Sequence, residues 1–106
     1  MDRKVVFSPE AADDLINLFD YVAERSGPLV ALGYIDRIEA YCAGLETSPE
    51  RGTRRDDLRP GLRIVGFERR MTLAFHKTQS TVIVDRILYG GRDLQRAIHQ
   101  RRRSPR

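Results

Sequence analysis

The stretch Thr81-Val82-Ile83-Val84-Asp85-Arg86-Ile87-Leu88-Tyr89, closed by Gly90-Gly91, constrains this chain more than any other part of it. It is rich in β-branched and aliphatic residues, and apolar side chains fall on both alternating sets of positions. Strict alternation places Val82, Val84 and Leu88 on one face and Ile83, Ile87 and Tyr89 on the other. A strand apolar on both faces belongs inside a sheet rather than at its edge. The glycines break the strand, and the charged pair Arg92-Asp93 stands where the chain emerges. A rigid strand end that presents polar groups at the surface is where recognition is expected.

The remaining elements are read around that strand. Val5, Val6 and Phe7 form a short first strand. Ser8-Pro9-Glu10 then starts a helix: serine caps free N–H groups, proline fits the first helical position, and glutamate suits the positive end of the dipole. Ala12, Leu15, Phe19 and Val22 continue it at helical spacing to about Arg25, where Ser26-Gly27-Pro28 ends it. Pro28 opens a second helix with Ala31, Tyr34, Ile35, Ile38, Tyr41, Cys42 and Leu45 on one stripe, ending at Thr47-Ser48-Pro49. The short connection makes the two an antiparallel hairpin. Cys42 lies in the apolar stripe and reads as a small buried side chain. Pro49 to Gly61 is charged and reads as a loop. Leu62 to Phe67, Met71 to His76 and Thr81 to Tyr89 follow as strands joined by short turns, an antiparallel meander. A short helix over Arg92 to Gln100 closes the domain. The expected fold is α+β, with the helices on one sheet face.

A chain of 106 residues supports one core. The expected organisation is a single domain over 1–100 and a flexible basic tail over 101–106. The pI near 9.7 invites a nucleic-acid reading. The tail, however, holds Arg101, Arg102, Arg103 and Arg106, whose charge equals the whole net +4 of the chain. The folded part is therefore close to neutral, and direct binding to nucleic acid is not expected. No apolar run approaches the roughly 20 residues that span a bilayer, and the N-terminus lacks a signal-peptide core. The expected location is the cytoplasm, with no membrane partner. One cysteine and two separated histidines leave no disulfide framework and no recognisable metal set. No cofactor is expected.

Several stretches, taken together and in this order, resemble the ParE branch of the RelE/ParE superfamily of type II toxin–antitoxin toxins. They are Phe7-Ser8-Pro9-Glu10-Ala11-Ala12-Asp13-Asp14-Leu15, Asp20-Tyr21-Val22, Ser48-Pro49-Glu50-Arg51-Gly52, Arg55-Asp56-Asp57-Leu58-Arg59-Pro60-Gly61-Leu62-Arg63 and Asp85-Arg86-Ile87-Leu88-Tyr89-Gly90-Gly91-Arg92-Asp93-Leu94. The likeness spans about residues 5–98. It implies a small toxin that inhibits DNA gyrase by protein–protein contact, without catalysis. It also implies a cognate antitoxin of ParD-like, ribbon-helix-helix type with a flexible tail. Members on the RelE side instead cut messenger RNA in the ribosome, which is the alternative reading. ParE-like members usually carry histidine where Tyr89 stands, and RelE-like nucleases often place a tyrosine near this strand end.

A metal-independent ribonuclease needs a base, an acid and cations around the phosphate. Arg63, Arg69, Arg70, Arg86 and Arg92 are the available cations, and His76 and Tyr89 the available proton carriers. No catalytic residue is assigned. Arg86 lies on an otherwise apolar strand, where a charge needs a partner, and Asp93 or Glu10 is the expected one. The candidate target-binding residues are Arg63, Arg86, Tyr89, Arg92 and Asp93. The helix stripes are wider than one packing face requires, which makes Leu18, Tyr21, Tyr34 and Tyr41 the candidate antitoxin-binding residues. A nucleic-acid module that uses the arginine-rich tail is the third reading.

Overall fold

The computed structural model describes residues 4–90 and 94–99. β1 (Lys4–Phe7) leads into α1 (Pro9–Ser26) and α2 (Pro28–Ala43), followed by a 3-10 turn over Gly44–Glu46. β2 (Thr53–Arg54), β3 (Arg63–Phe67), β4 (Met71–Lys77), β5 (Thr81–Tyr89) and α3 (Leu94–His99) complete the chain. The five strands form one sheet in the order β1-β5-β4-β3-β2. β1 runs parallel to β5, and the other pairs are antiparallel. β5 is thus an interior strand, as its two apolar faces require. The expected tail, Arg92, Asp93 and Gln100 lie outside the described residues.

Local chemistry explains the helix ends. Ser8 Oγ accepts the Ala11 N–H at 3.0 Å, capping α1, and Pro9 occupies its first turn. Gly27 separates the helices at φ +93°, a conformation that glycine adopts without steric cost. α2 closes two residues short of Leu45. The chain tightens into the 3-10 turn at Gly44, a weak helix former, and this turn keeps Leu45 fully buried.

The core between the hairpin and the sheet joins Leu18, Val22, Ile38 and Leu45 to Leu73, Phe75, Val84 and Ile87. A second, smaller cluster on the opposite face joins Leu58 and Leu62 to Ala74 and Ile98. This corrects the expectation of helices on one face only: α3 covers the far face with the loop before β3. That loop also contains the two-residue β2, paired with β3 through Thr53 opposite Ile64. Gly52, at φ +80°, permits the approach, because a Cβ there would meet the Ile64 carbonyl oxygen at 2.2 Å.

β5 departs from strict alternation. Ala74 lies opposite Arg86, whereas Phe75 lies opposite Val84, so Asp85 is an extra residue in the ladder. Such a bulge turns every later side chain to the other face. Val82, Val84 and Ile87 therefore share the core beneath the helices, with Tyr89 packed against it. Leu88, opposite Thr72, falls on the far face. The face assignment made from alternation fails beyond Asp85 for this reason.

Candidate functional site

β1 ends at Phe7, opposite Val84, and leaves the rest of β5 without a strand neighbour on that side. α1 completes the hydrogen bonding there. The Ser8 N–H donates to Val84 O at 2.9 Å, and Ser8 Oγ donates to Asp85 O at 2.9 Å. Asp14 Oδ2 accepts the Ile87 N–H at 2.8 Å. Arg86 is drawn into the same arrangement. Its Nε and Nη2 donate to the Asp14 carboxylate at 2.8 and 2.9 Å, and its Nη1 donates to Ala97 O at 2.9 Å. Asp14 is the carboxylate that hydrogen-bonds it; of the two expected partners, Asp93 lies outside the described residues. The Asp14 hydrogen bond raises the Arg86 pKa, with Glu10 adding a weaker attraction. Arg86 thereby ties α1, β5 and α3 together.

Beyond this pair the end of β5 meets the helices through aromatic rings. Tyr89 lies 5.3 Å from Tyr21, centroid to centroid, and 6.3 Å from Tyr34 in an edge-on contact. Such pairs contribute about 0.5–1.5 kcal/mol beyond buried area. Arg25 lies over the Tyr21 ring at 3.8 Å and Arg37 over Tyr34 at 4.8 Å. Arg37 also grips Glu68 through two hydrogen bonds of 2.7 and 3.1 Å. Glu68 and Arg69 both have positive φ, 49° and 69°, so the β3–β4 turn is held in a conformation that L-residues disfavour. A cleft of about 320 Å³ opens beside the rings, lined by Asn17, Leu18, Tyr21, Arg70, Ile87 and Tyr89 among others.

The structure therefore separates some expected sites and merges others. Tyr89, a target-binding candidate, lies in one patch with Leu18, Tyr21 and Tyr34, which were antitoxin-binding candidates. Leu18 is nearly buried at 4% exposure. Tyr41 lies elsewhere, packed on Phe67 at 5.2 Å and under Arg51. Arg63 turns toward the loop before β3 and donates to the carbonyls of Glu50 and Arg51 at 2.7 and 2.9 Å. Arg92 and Asp93 lie outside the described residues.

His76 joins neither group. Its Nδ1 is 2.7 Å from Asp85 Oδ2, and Arg59 Nη2 is 2.9 Å from Asp85 Oδ1. This half-buried set fastens the loop before β3 to the bulge. Burial pushes the Cys42 thiol up to about 12, so the reactive thiolate is suppressed. Among the described residues no three His, Cys, Asp or Glu side chains are placed to hold a metal, and no helix is long and apolar enough to cross a membrane.

Comparison with known proteins decides the family. The family model described as "ParE toxin of type II toxin-antitoxin system, parDE" matches residues 5–94. The chain belongs to the ParE toxin family. Toxin ParE3 of Caulobacter vibrioides is 33% identical over 91 residues, which cover 86% of this chain and 90% of that protein. A solved structure titled "Chromosomal ParDE TA system from P. aeruginosa" has the same fold, with a TM-score of 0.73 at 24% identity. The superposition covers 83% of this chain and 96% of that one.

In this ParE-family chain, sequence reasoning missed Asp14, Arg59 and the place of Arg70 in the cleft beside Tyr89. Asp14 had a legible signal. It stands between Ala11 and Leu18 at helical spacing on the buried stripe of α1, and an acid there needs a cation. Arg59 had none, because its contact depends on the bulge. A further groove of about 370 Å³ lies along the outer seam of the hairpin, lined by Phe7, Ile16, Phe19, Leu32 and Ile35 among others. Ile16 is 61% exposed and Leu32 48%, so the ParE-family hairpin carries an open apolar face.

Proposed function

We propose that this ParE-family toxin acts without catalysis, by protein–protein contact with DNA gyrase in the cytoplasm, and is held inactive by a cognate antitoxin. The observation that carries the non-enzymatic reading is the dispersal of the side chains a phosphodiester-cleaving centre would use. Arg86 is committed to Asp14 and Ala97. Arg63 is committed to loop carbonyls, His76 to Asp85, and Tyr89 to two other rings. Of the candidate set, Tyr89 and Arg70 share a cleft, but His76, Arg63 and Arg86 are held elsewhere, so among the described residues no paired base and acid stand beside that cation to supply general acid–base chemistry. The family match supports the toxin role and, through the ParDE pairing, the antitoxin.

The test is an in vitro comparison. Purified protein is added to gyrase with plasmid DNA, beside a ribosome programmed with messenger RNA. Loss of supercoiling or trapped cleaved DNA, with intact RNA, is the expected result. Codon-spaced RNA cuts with gyrase unaffected would overturn the reading and make the chain a ribosome-dependent nuclease.

A further inference from the structure

The cleft between α1, the β3–β4 turn and the end of β5 has a chemistry that selects its occupant. Leu18 and Ile87 give it an apolar floor, and Tyr21 and Tyr89 give it aromatic walls. Two of its lining residues are formally charged, Asp14 and Arg70. Both oxygens of Asp14 are engaged by Arg86 and the Ile87 N–H, so this carboxylate offers nothing to a ligand. Arg70 is exposed, and among the described residues no carboxylate pairs with it. Glu68, two positions away, is turned to Arg37. Arg25, stacked on Tyr21, is offset by Glu24 at 3.9 Å. The cleft thus joins an apolar floor to one unneutralised cation, Arg70.

From this we infer that the cleft is the anchor site for an acidic segment of the antitoxin polypeptide. One carboxylate pairs with Arg70 while a neighbouring apolar side chain enters between Tyr21 and Leu18. The inference rests on the proposed antitoxin pairing and deepens it. A guanidinium that meets a carboxylate at the rim of an apolar cleft gives charge-assisted, directional recognition, and the complementary charge steers encounter. A nucleic-acid strand fits less well. Single-stranded bases need open ring faces to stack on, whereas Tyr21 already lies under Arg25 and Tyr89 is flanked by two rings. An occupant here also covers Tyr89, so binding would mask the strand end that the toxin presents to its target.

The experiment is a titration of the full chain by the protein encoded beside it, and by short overlapping peptides tiled across that protein. Arg70→Glu, Tyr21→Ala and the distant control Arg54→Glu are compared with the unaltered chain, each checked by circular dichroism for folding. The expected result is roughly tenfold or greater weakening for Arg70→Glu, a similar loss for Tyr21→Ala, and no change for Arg54→Glu. The tightest peptide should be acidic, and exchanging its acids for lysine should restore binding to Arg70→Glu. Equal affinity of Arg70→Glu and the unaltered chain would overturn the inference while leaving the antitoxin pairing intact. Displacement of the bound peptide by single-stranded RNA at lower concentration than by unlabelled peptide would overturn it in favour of a nucleic-acid site. Failure of the neighbouring protein to bind the unaltered chain would overturn the pairing and the inference together.

Discussion

Asp14 in α1 and Arg86 in β5, 72 residues apart, meet through paired hydrogen bonds of 2.8 and 2.9 Å. The same carboxylate accepts the Ile87 N–H, so one side chain neutralises a charge and closes the open part of a strand ladder. The side chains are 13% (Arg86) and 5% (Asp14) exposed.

Removing one member of such a pair leaves a buried charge without a partner. Asp14→Ala is therefore expected to cost about 3–5 kcal/mol, read as a lowered urea midpoint. Asp14→Leu combined with Arg86→Met should recover much of that loss, since an apolar pair of similar volume removes the desolvation penalty as well. A loss below about 1 kcal/mol for Asp14→Ala would mean that the pair behaves as a surface bridge.

Asp85 is the second hub. Its side chain meets His76 and Arg59, and its carbonyl accepts from Ser8. Asp85→Ala leaves the Ser8 contact in place and strips the other two, at a cost of roughly 1–3 kcal/mol. Because Arg59 belongs to the loop before β3, the Leu58 and Arg59 amides, bonded to Arg55 O, should exchange faster with deuterium. Unchanged exchange there would show that Leu58 and Leu62, rather than the ion pair, hold the loop.

Much of this architecture was legible because its signals are local. Ser8-Pro9-Glu10 and Gly27-Pro28 specify helix ends by cap chemistry that needs no tertiary partner. β5 announced its interior place by being apolar on both faces. That property also hid the bulge: with Ile, Val or Leu at five of nine positions, on both sides of Asp85-Arg86, a slip of one residue still leaves apolar side chains on both faces. β2 is too short to show a period. The site was less legible than the fold. The contact of Tyr89 with Tyr21 and Tyr34 exists only once α1 and α2 lie on β5, and one-dimensional spacing does not encode it. Asp14 could have been read, since a carboxylate on the buried stripe between Ala11 and Leu18 demands a partner.

The β3–β4 turn stores strain that glycine would release. Arg69 sits at φ 69°, and the left-handed region costs an L-residue roughly 1–2 kcal/mol. Part of that gain is lost to the greater unfolded-state freedom of glycine. Arg69→Gly is expected to stabilise by roughly 0.5–1 kcal/mol, measured by thermal melting. Gly52→Ala should act in the opposite sense, because its Cβ would stand 2.2 Å from Ile64 O. A stabilising Gly52→Ala would mean that β2 can leave the sheet without loss.

Three exposed carboxylates are expected to contribute to the acid limb of stability. The Arg37 hydrogen bonds hold Glu68 below the usual carboxylate range. Arg54, with the Gly61 N–H, does the same for Asp56, and Arg55 does so for Asp57. Each folded-state pKa lies below its unfolded value, so the unfolded chain binds protons first as the pH falls. The contribution is fully present above the ordinary carboxylate values near pH 4 and is lost as the pH drops through the lowered folded values. The melting temperature should therefore be level near neutrality and decline below about pH 4. Added salt should weaken the contribution of these pairs, because exposed charges are screened. Glu68→Gln should make the decline shallower, and combining it with Asp56→Asn and Asp57→Asn shallower still. If the triple variant keeps the full acid slope, these pairs are not its source.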